Sequence, residues 1–241
     1  REDMIYKLAN QGFKSVMSNS SAFYFDMTDD KDIESGGLNW SGYVDYQDTW
    51  GTEPLNVFAN KVKLKELNAD ENKLVKYKKL KKNSVSNFLG IQSQLWTETA
   101  TDSYQFDRML MPNLIVFSER AWSSRETWLD EITAEKQKPL LLKSWNRFVN
   151  TLGQRHLRYI SENYKEINFD LPKPGAIIDN FILKARQLFP GLEIRYTLNG
   201  KKPSITDHLY TSPVKIKSND QVILRVFDSN GRGGNSIKIQ K

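Results

Sequence analysis

The spacing of apolar residues changes near residue 168, and the change divides the chain into two kinds of structure. Before it, apolar positions recur at helical spacing or gather in short dense runs. Met4, Ile5 and Leu8 share one side of a helix over residues 1–12, which Gly12 ends. The run Phe13–Met17 predicts a short buried strand, and Phe88–Leu95 predicts a second. Between them lies a long irregular segment rich in Gly, Asp, Trp and Tyr, the composition of a functional loop. Thr101 or Asp102 caps a helix that runs through Tyr104, Phe106, Met109 and Leu110. Pro112 has no N–H for a continuous ladder, so a kink or a fresh helix start is expected there; "PNLIVFSERAW" continues as a helix apolar on most sides and therefore buried. Ser124 opens a further short helix. Leu141, Trp145, Phe148, Val149 and Leu152 then line one face of a long amphipathic helix.

Past "NFDLPKPGA" the period becomes two. Leu192, Ile194, Tyr196 and Leu198 alternate with Glu193, Arg195 and Thr197; Val222, Leu224 and Val226 repeat the pattern, and Ile237 and Ile239 close it. Asn199–Gly200 and Asn230–Gly231 supply turns. Several short strands at this spacing predict a small β-sandwich from about residue 168, joined through the stiff Pro172 and Pro174. The first part reads helix, strand, long loop, strand, helix, the grammar of an α/β layer or barrel. Two strands cannot close a barrel, so this is a partial domain.

Composition narrows the chemistry. The 241 residues, 39% of them hydrophobic with six Trp, ten Tyr and twelve Phe, are those of a folded protein. No apolar run reaches membrane-spanning length and no signal peptide opens the chain. It begins without Met, inside a helix-like segment, and is expected to be a processed product or a piece of something longer. With no cysteine there is no disulfide, thiol catalysis or cysteine-based zinc site within it. His156 and His208 stand far apart and in no metal-like spacing, so both are expected at the surface or in packing. The net charge of +6 gathers in "KVKLKELNADENKLVKYKKLKKN", residues 61–83. Lysines with a single Tyr77 make a solvated rim rather than the arginine and aromatic face of a nucleic-acid module, and no nucleic-acid partner is expected.

Five residues stand out chemically: Tyr24, Asp26, Trp40, Trp96 and Glu98. Tyr24 and Asp26 follow the first strand, and Trp96 and Glu98 end the second. In a barrel the C-terminal strand ends converge on one mouth. Two residues apart in extended chain, each pair points to one side. Indole walls with two carboxylates suit a sugar ring, whose C–H faces stack on aromatics while its hydroxyls donate to the acids. Singly, each of the five has an ordinary structural explanation, a core Trp or a turn Asp; together, at both strand ends, they favour a site. Asp29 and Asp30 read as a solvated loop.

The segments "GIQSQLWTET", "MPNLIVFSERAW", "VMSNSSAFYFD" and "DLPKPGA…FPGLEIRYTLNGKKP" resemble, in order, the C-terminal part of bacterial β-N-acetylhexosaminidases of the chitobiase type, glycoside hydrolase family 20. The W-x-E followed later by E-R-A-W is the most specific pair. The resemblance implies residues 1–136 as the last part of a (β/α)8 TIM barrel, 137–167 as a helical connection packed on it, and 168–241 as an immunoglobulin-like β-domain of structural role. It implies that Tyr24 hydrogen-bonds the N-acetyl group of the substrate, that Asp26 and Glu98 bind hydroxyls on the far edge of the terminal sugar, that Trp96 walls that sugar and that Trp40 underlies the next one.

Such enzymes are similar in using substrate-assisted retaining catalysis, in which the acetamido oxygen is the nucleophile, an Asp orients it and an adjacent Glu protonates the leaving oxygen. No acidic pair of this chain matches that Asp–Glu motif, which the family places upstream. The resemblance therefore implies that no catalytic residue lies here, and that the chain alone is inactive. Its partners would be an N-acetylhexosamine-terminated oligosaccharide or glycan and the upstream half of the same barrel. The resemblance also implies that no metal or organic cofactor is needed, and that the parent is periplasmic, secreted or on a bacterial cell surface. A non-catalytic carbohydrate-binding protein is the alternative. One departure is Asn113, where the family usually has Arg after the proline.

Overall fold

The computed structural model describes residues 3–31, 36–69 and 74–239. The chain forms two compact units, Arg1–Trp145 and Asn146–Lys241. Residues 1 and 2 of the expected first helix, and 70–73 of the lysine-rich stretch, lie outside the described residues.

In the first unit, the helix Met4–Asn10 stops where Gly12 turns left-handed and its N–H reaches the Ala9 carbonyl. Its buried face is Tyr6 and Ala9; of the expected Met4, Ile5 and Leu8, Ile5 packs against the core while Met4 and Leu8 are exposed. The reason is the Tyr6 hydroxyl, which donates to Pro54 O at 2.8 Å and accepts from Val57 N–H at 2.9 Å, turning that side inward. Two strands follow, both shorter than expected: β1 (Ser15–Met17) and β2 (Phe88–Ile91). They pair in parallel with a register irregularity after Ser15. Tyr6, Met17, Ala22 and Phe23 make the core between strand and helices, with Phe88, Ile91 and Phe117 packed against it. Phe117 meets Phe23 edge-on at 5.4 Å and Phe25 at 6.0 Å.

A second aromatic cluster forms around Trp50, which stacks on Trp128 and touches Trp145 at 5.4 Å. Beside it the buried Gln137 amide accepts from Lys61 N–H and donates to the carbonyls of Ala59 and Glu131, so no polar atom of that side chain is left without a partner. Asp102 caps the helix Ser103–Leu110, as expected, and a new helix, Asn113–Trp122, begins after Pro112. That helix is less buried than its composition predicts: only Val116 and Arg120 are enclosed, and Trp122 is 90% exposed. Ser124 opens no helix; a short 3-10 turn forms later, over Thr127–Asp130. Within the lysine-rich stretch, Lys63 pairs with Asp48 and Lys65 with Glu135 at 2.5 Å.

The helix Ala134–Thr151 buries Leu141, Trp145 and Val149, and runs on through a π-helical turn, Leu152–Leu157, into Arg158–Asn163. Among the described residues no helix is long and apolar enough to cross a membrane.

The second unit is a sandwich of two antiparallel sheets. One joins β3 (Gly175–Asp179), β4 (Ile182–Arg186) and β7 (Val214–Lys215). The other has the order β6-β5-β8-β9, from β5 (Glu193–Thr197), β6 (His208–Leu209), β8 (Ile223–Phe227) and β9 (Gly233–Lys238). Ile194, Tyr196, Leu224 and Val226, the inward positions that the period of two marks, are buried, and Leu183 of β4 is buried as well. Gly200 and Gly231 turn with positive φ at the two predicted turns. This is the immunoglobulin-like architecture expected from the sequence. Gly153 must be glycine: a Cβ there would stand 2.1 Å from the Pro190 carbonyl oxygen. Asp228, buried, ties the helix to the sheets, accepting from Ser161 Oγ, from Arg232 Nε and from the N–H groups of Asn230 and Arg232.

Candidate functional site

The ends of β1 and β2 are laced together beyond the last strand residues. Gln92 N–H donates to Met17 O, Gln94 N–H to Phe23 O and Phe25 N–H to Gln94 O, all between 2.8 and 3.0 Å. One helical turn, Ser20–Phe23, capped by Asn19, is inserted after β1, and the parallel pairing resumes at Tyr24 and Gln94. This lacing sets Tyr24 and Asp26 beside the chain that leaves β2 through Trp96 and Glu98.

Asp26 is 1% exposed, and neither carboxylate oxygen has a hydrogen-bond partner. Burial raises its pKa above the usual carboxylate value; the N–H groups of Asp26 and Trp96 oppose the rise without reaching hydrogen-bond geometry, and the nearby Glu98 carboxylate adds to it. A buried acid without donors is costly to keep, which makes Asp26 a candidate for a functional role. Glu98 is exposed, and Trp96 is 50% exposed on the same segment. Asp26, Trp96 and Glu98 are thus one group.

Tyr24 and Trp40 form the second. Their rings meet edge to face at 5.8 Å, with Trp40 62% exposed and Tyr24 half-buried. Trp40 reaches this place because its loop folds back on the end of β1. Leu38 N–H donates to Asp26 O at 2.7 Å, Thr28 N–H to Leu38 O at 2.8 Å and Val44 N–H to Thr28 O at 3.0 Å. Gly37, with a φ of +83°, permits the approach. Gly37 and Gln94 are the positioning residues that sequence reading missed; the Gly36–Gly37 pair inside the long loop was the available signal. Asp29 and Asp30 belong to neither group.

Two further features bear on the surroundings. Asn113 donates its amide to Met109 O at 2.9 Å, closing the end of the preceding helix. Arg120, buried, donates to the carbonyls of Ser123 and Ser124 and so holds the chain that follows its own helix. Among the described residues no group of His, Asp or Glu side chains could hold a metal ion.

The chain matches the model of "Glycosyl hydrolase family 20, catalytic domain" over residues 1–125, and that of "Chitobiase/beta-hexosaminidase C-terminal domain" over 163–236. Among curated relatives, it is 27% identical to a beta-hexosaminidase of Vibrio vulnificus, covering 98% of this chain and 29% of the relative. It is 26% identical to the N,N'-diacetylchitobiase of Vibrio harveyi, covering 87% of this chain and 25% of the relative. A solved structure of the exo β-N-acetylglucosaminidase of Vibrio harveyi in complex with N-acetylglucosamine is 26% identical, with a TM-score of 0.40 over 59% of this chain and 20% of that one. The chain therefore spans less than a third of the length of these curated relatives. With more than half of its residues under the catalytic-domain model and the accessory domain matched behind it, the chain belongs to glycoside hydrolase family 20.

Proposed function

We propose that this chain supplies one wall of the sugar pocket of an exo-acting β-N-acetylhexosaminidase, together with its accessory β-domain. The observation that carries the reading is Asp26, a buried carboxylate with no partner, set beside Trp96 and Glu98 at the joined ends of two parallel strands. Sugar hydroxyls supply the missing donors, and the indole of Trp96 covers the apolar face of the same ring. The Tyr24 hydroxyl donates to the acetamido carbonyl and steadies the oxygen that attacks the anomeric carbon. Trp40, exposed and braced on Tyr24, underlies the next sugar. The names of the relatives, beta-hexosaminidase and N,N'-diacetylchitobiase, support the same substrate class.

In this reading the reaction is hydrolysis of a terminal N-acetylglucosamine or N-acetylgalactosamine with retention, the substrate's own acetamido group acting as nucleophile. The Asp that orients that group and the Glu that protonates the leaving oxygen come from the upstream half of the barrel. Residues 1–136 then belong to the barrel, 137–167 connect, and 168–241 form the β-domain, in a protein exported to the periplasm, the cell surface or the medium. Turnover of an aryl N-acetylglucosaminide tests this. The isolated chain is expected to be silent and the complete barrel active, with Glu98→Gln raising KM in the latter. Turnover by the isolated chain would overturn it.

A further inference from the structure

The turn Asn39–Gly42 carries Trp40 between the backbone ties that anchor its loop. Those ties run from Leu38 to Asp26 and Thr28 on one side and from Val44 to Thr28 on the other. Between them the turn closes on itself, Gly42 N–H reaching Asn39 O at 3.0 Å with Gly42 left-handed at a φ of +94°. Nothing in that internal bond fixes where the turn stands. An indole more than half exposed, touching Tyr24 only edge-on, is weakly held by that contact; an aromatic pair contributes about 1 kcal/mol.

A second contact joins the same two elements. Ser41 Oγ lies 2.7 Å from Ser20 Oγ, and Ser20 opens the helical turn Ser20–Phe23, which Tyr24 follows. Ser20 and Tyr24, at the two ends of this short segment, thus present a hydroxyl and a ring to the successive residues Ser41 and Trp40. Two ties at different points prevent a turn from pivoting, where one does not. Both hydroxyls are half-buried, so water competes incompletely for the bond.

We propose that the Ser20–Ser41 hydroxyl pair is a latch that fixes Trp40 against Tyr24, making Ser41 a positioning residue for the saccharide on the leaving-group side of the scissile bond. The proposal rests on the reading of Trp40 as the support for that second sugar. The terminal sugar is held by Asp26, Glu98, Trp96 and the Tyr24 hydroxyl. Tyr24 is itself fixed by its backbone pairing with Gln94 and the others by the strand ends, so the latch acts through Trp40 on the leaving-group side.

The test compares two substrates in the complete enzyme: a β-linked disaccharide of N-acetylglucosamine, and the methyl β-glycoside of one such sugar, whose leaving group is too small to reach an indole. Ser41→Ala is expected to raise KM for the disaccharide about three- to ten-fold, the worth of one hydrogen bond, and to lower the preference for disaccharide over methyl glycoside by the same factor. Ser41→Thr, which keeps a hydroxyl, restores most of that preference, and Ser20→Ala lowers it like Ser41→Ala, with no further loss in the double variant. Trp40→Ala, measured alongside, separates the two claims. If it lowers the preference and Ser41→Ala does not, the latch is refuted and the platform stands. If Trp40→Ala leaves the preference unaltered, the platform fails and the latch with it. Equal losses on both substrates for Ser41→Ala would mark a general structural role and also overturn the proposal.

Discussion

Gly37 lies so close to Asp26 that a Cβ on it would stand 2.7 Å from the Asp26 carbonyl oxygen, and 3.0 Å from Thr28 N. The next residue, Leu38, donates to that same carbonyl. The close approach is what lays the Trp40 loop along the chain bearing Asp26, and it needs both the absence of a side chain and a φ of +83°. Gly37→Ala is expected to cost roughly 2 kcal/mol or more, from left-handed strain and a backbone clash that no rotamer relieves. Thermal unfolding should show a Tm several degrees lower. In the complete enzyme KM should rise while kcat changes less. A variant with the parental Tm would mean that the loop has another way to lie on Asp26.

The role proposed for Asp26 as a sugar ligand works against the stability of the fold. Its pKa in the folded chain is raised above 3.8, first by burial and then by Glu98. The folded state therefore holds the proton more tightly than the unfolded state, and stability from this group falls as pH rises from the unfolded value through the folded one. Asp26→Asn removes that loss. The variant should melt higher than the parent at neutral pH, the gap closing as pH is lowered below the range where the unfolded carboxyl titrates. Affinity for N-acetylglucosamine should fall in the complete enzyme, because an amide accepts hydroxyls less strongly than a carboxylate. Tm profiles across pH for both proteins check the sign; a variant less stable than the parent at neutral pH would contradict it.

A second carboxylate gives the same sign from the same pair of causes, burial and a neighbouring acid. Asp45 and Asp48 cap the helix Tyr46–Gly51 reciprocally, each side chain accepting from the other's N–H. The Asp48 carboxyl is pushed up to about 6, chiefly by burial and then by the neighbouring Asp45 carboxylate, with Lys63 opposing. Its contribution to stability therefore falls as pH rises from 3.8 to about 6, a window reaching toward neutrality. Asp45→Ser keeps a capping oxygen and removes the repelling charge. The Asp48 titration midpoint, followed by NMR of the carboxyl carbon, should move down in that variant. An unmoved midpoint would leave burial as the whole cause.

The alternation of Ile194, Tyr196, Leu224 and Val226 made the β-sandwich legible, because in a half-buried strand the inward positions are fixed by a period of two that no partner is needed to reveal. The five candidate site residues were legible as types at strand ends. Their grouping was not, since it depends on Gln94 lacing two strand ends and on Gly37 letting a loop fold back, both backbone relations between distant residues. The helix faces misled where the two hydrogen bonds of one hydroxyl outweigh an apolar stripe. Tyr6, bonded to Pro54 and Val57, turned its helix so that Met4 and Leu8 face outward. Helix Asn113–Trp122 misled for a related reason: its apolar residues mark burial only where something covers them, and Trp122 is almost wholly bare.

The β-domain hangs on Asp228, and its removal should be felt through the whole unit. Both carboxylate oxygens are in use. Oδ1 accepts from Asn230 N–H and Arg232 N–H at 2.9 Å, shaping the turn between β8 and β9, while Oδ2 accepts from Arg232 Nε at 2.7 Å and Ser161 Oγ at 3.2 Å. Arg232 in turn donates to Ile167 O and Asn168 Oδ1 and lies over the Phe169 ring, so the turn, the helix end and the segment entering the sandwich share one network. Asp228→Ala leaves a largely buried guanidinium without its acid and should cost about 3–5 kcal/mol. Asp228→Asn keeps an acceptor for the two backbone N–H groups and should cost less. Urea unfolding of this unit should show a lower midpoint in that order, with amide exchange accelerated first at the turn after β8. A midpoint for Asp228→Ala within experimental error of the parent would mean that the hydrophobic sandwich alone holds the helix to the sheets.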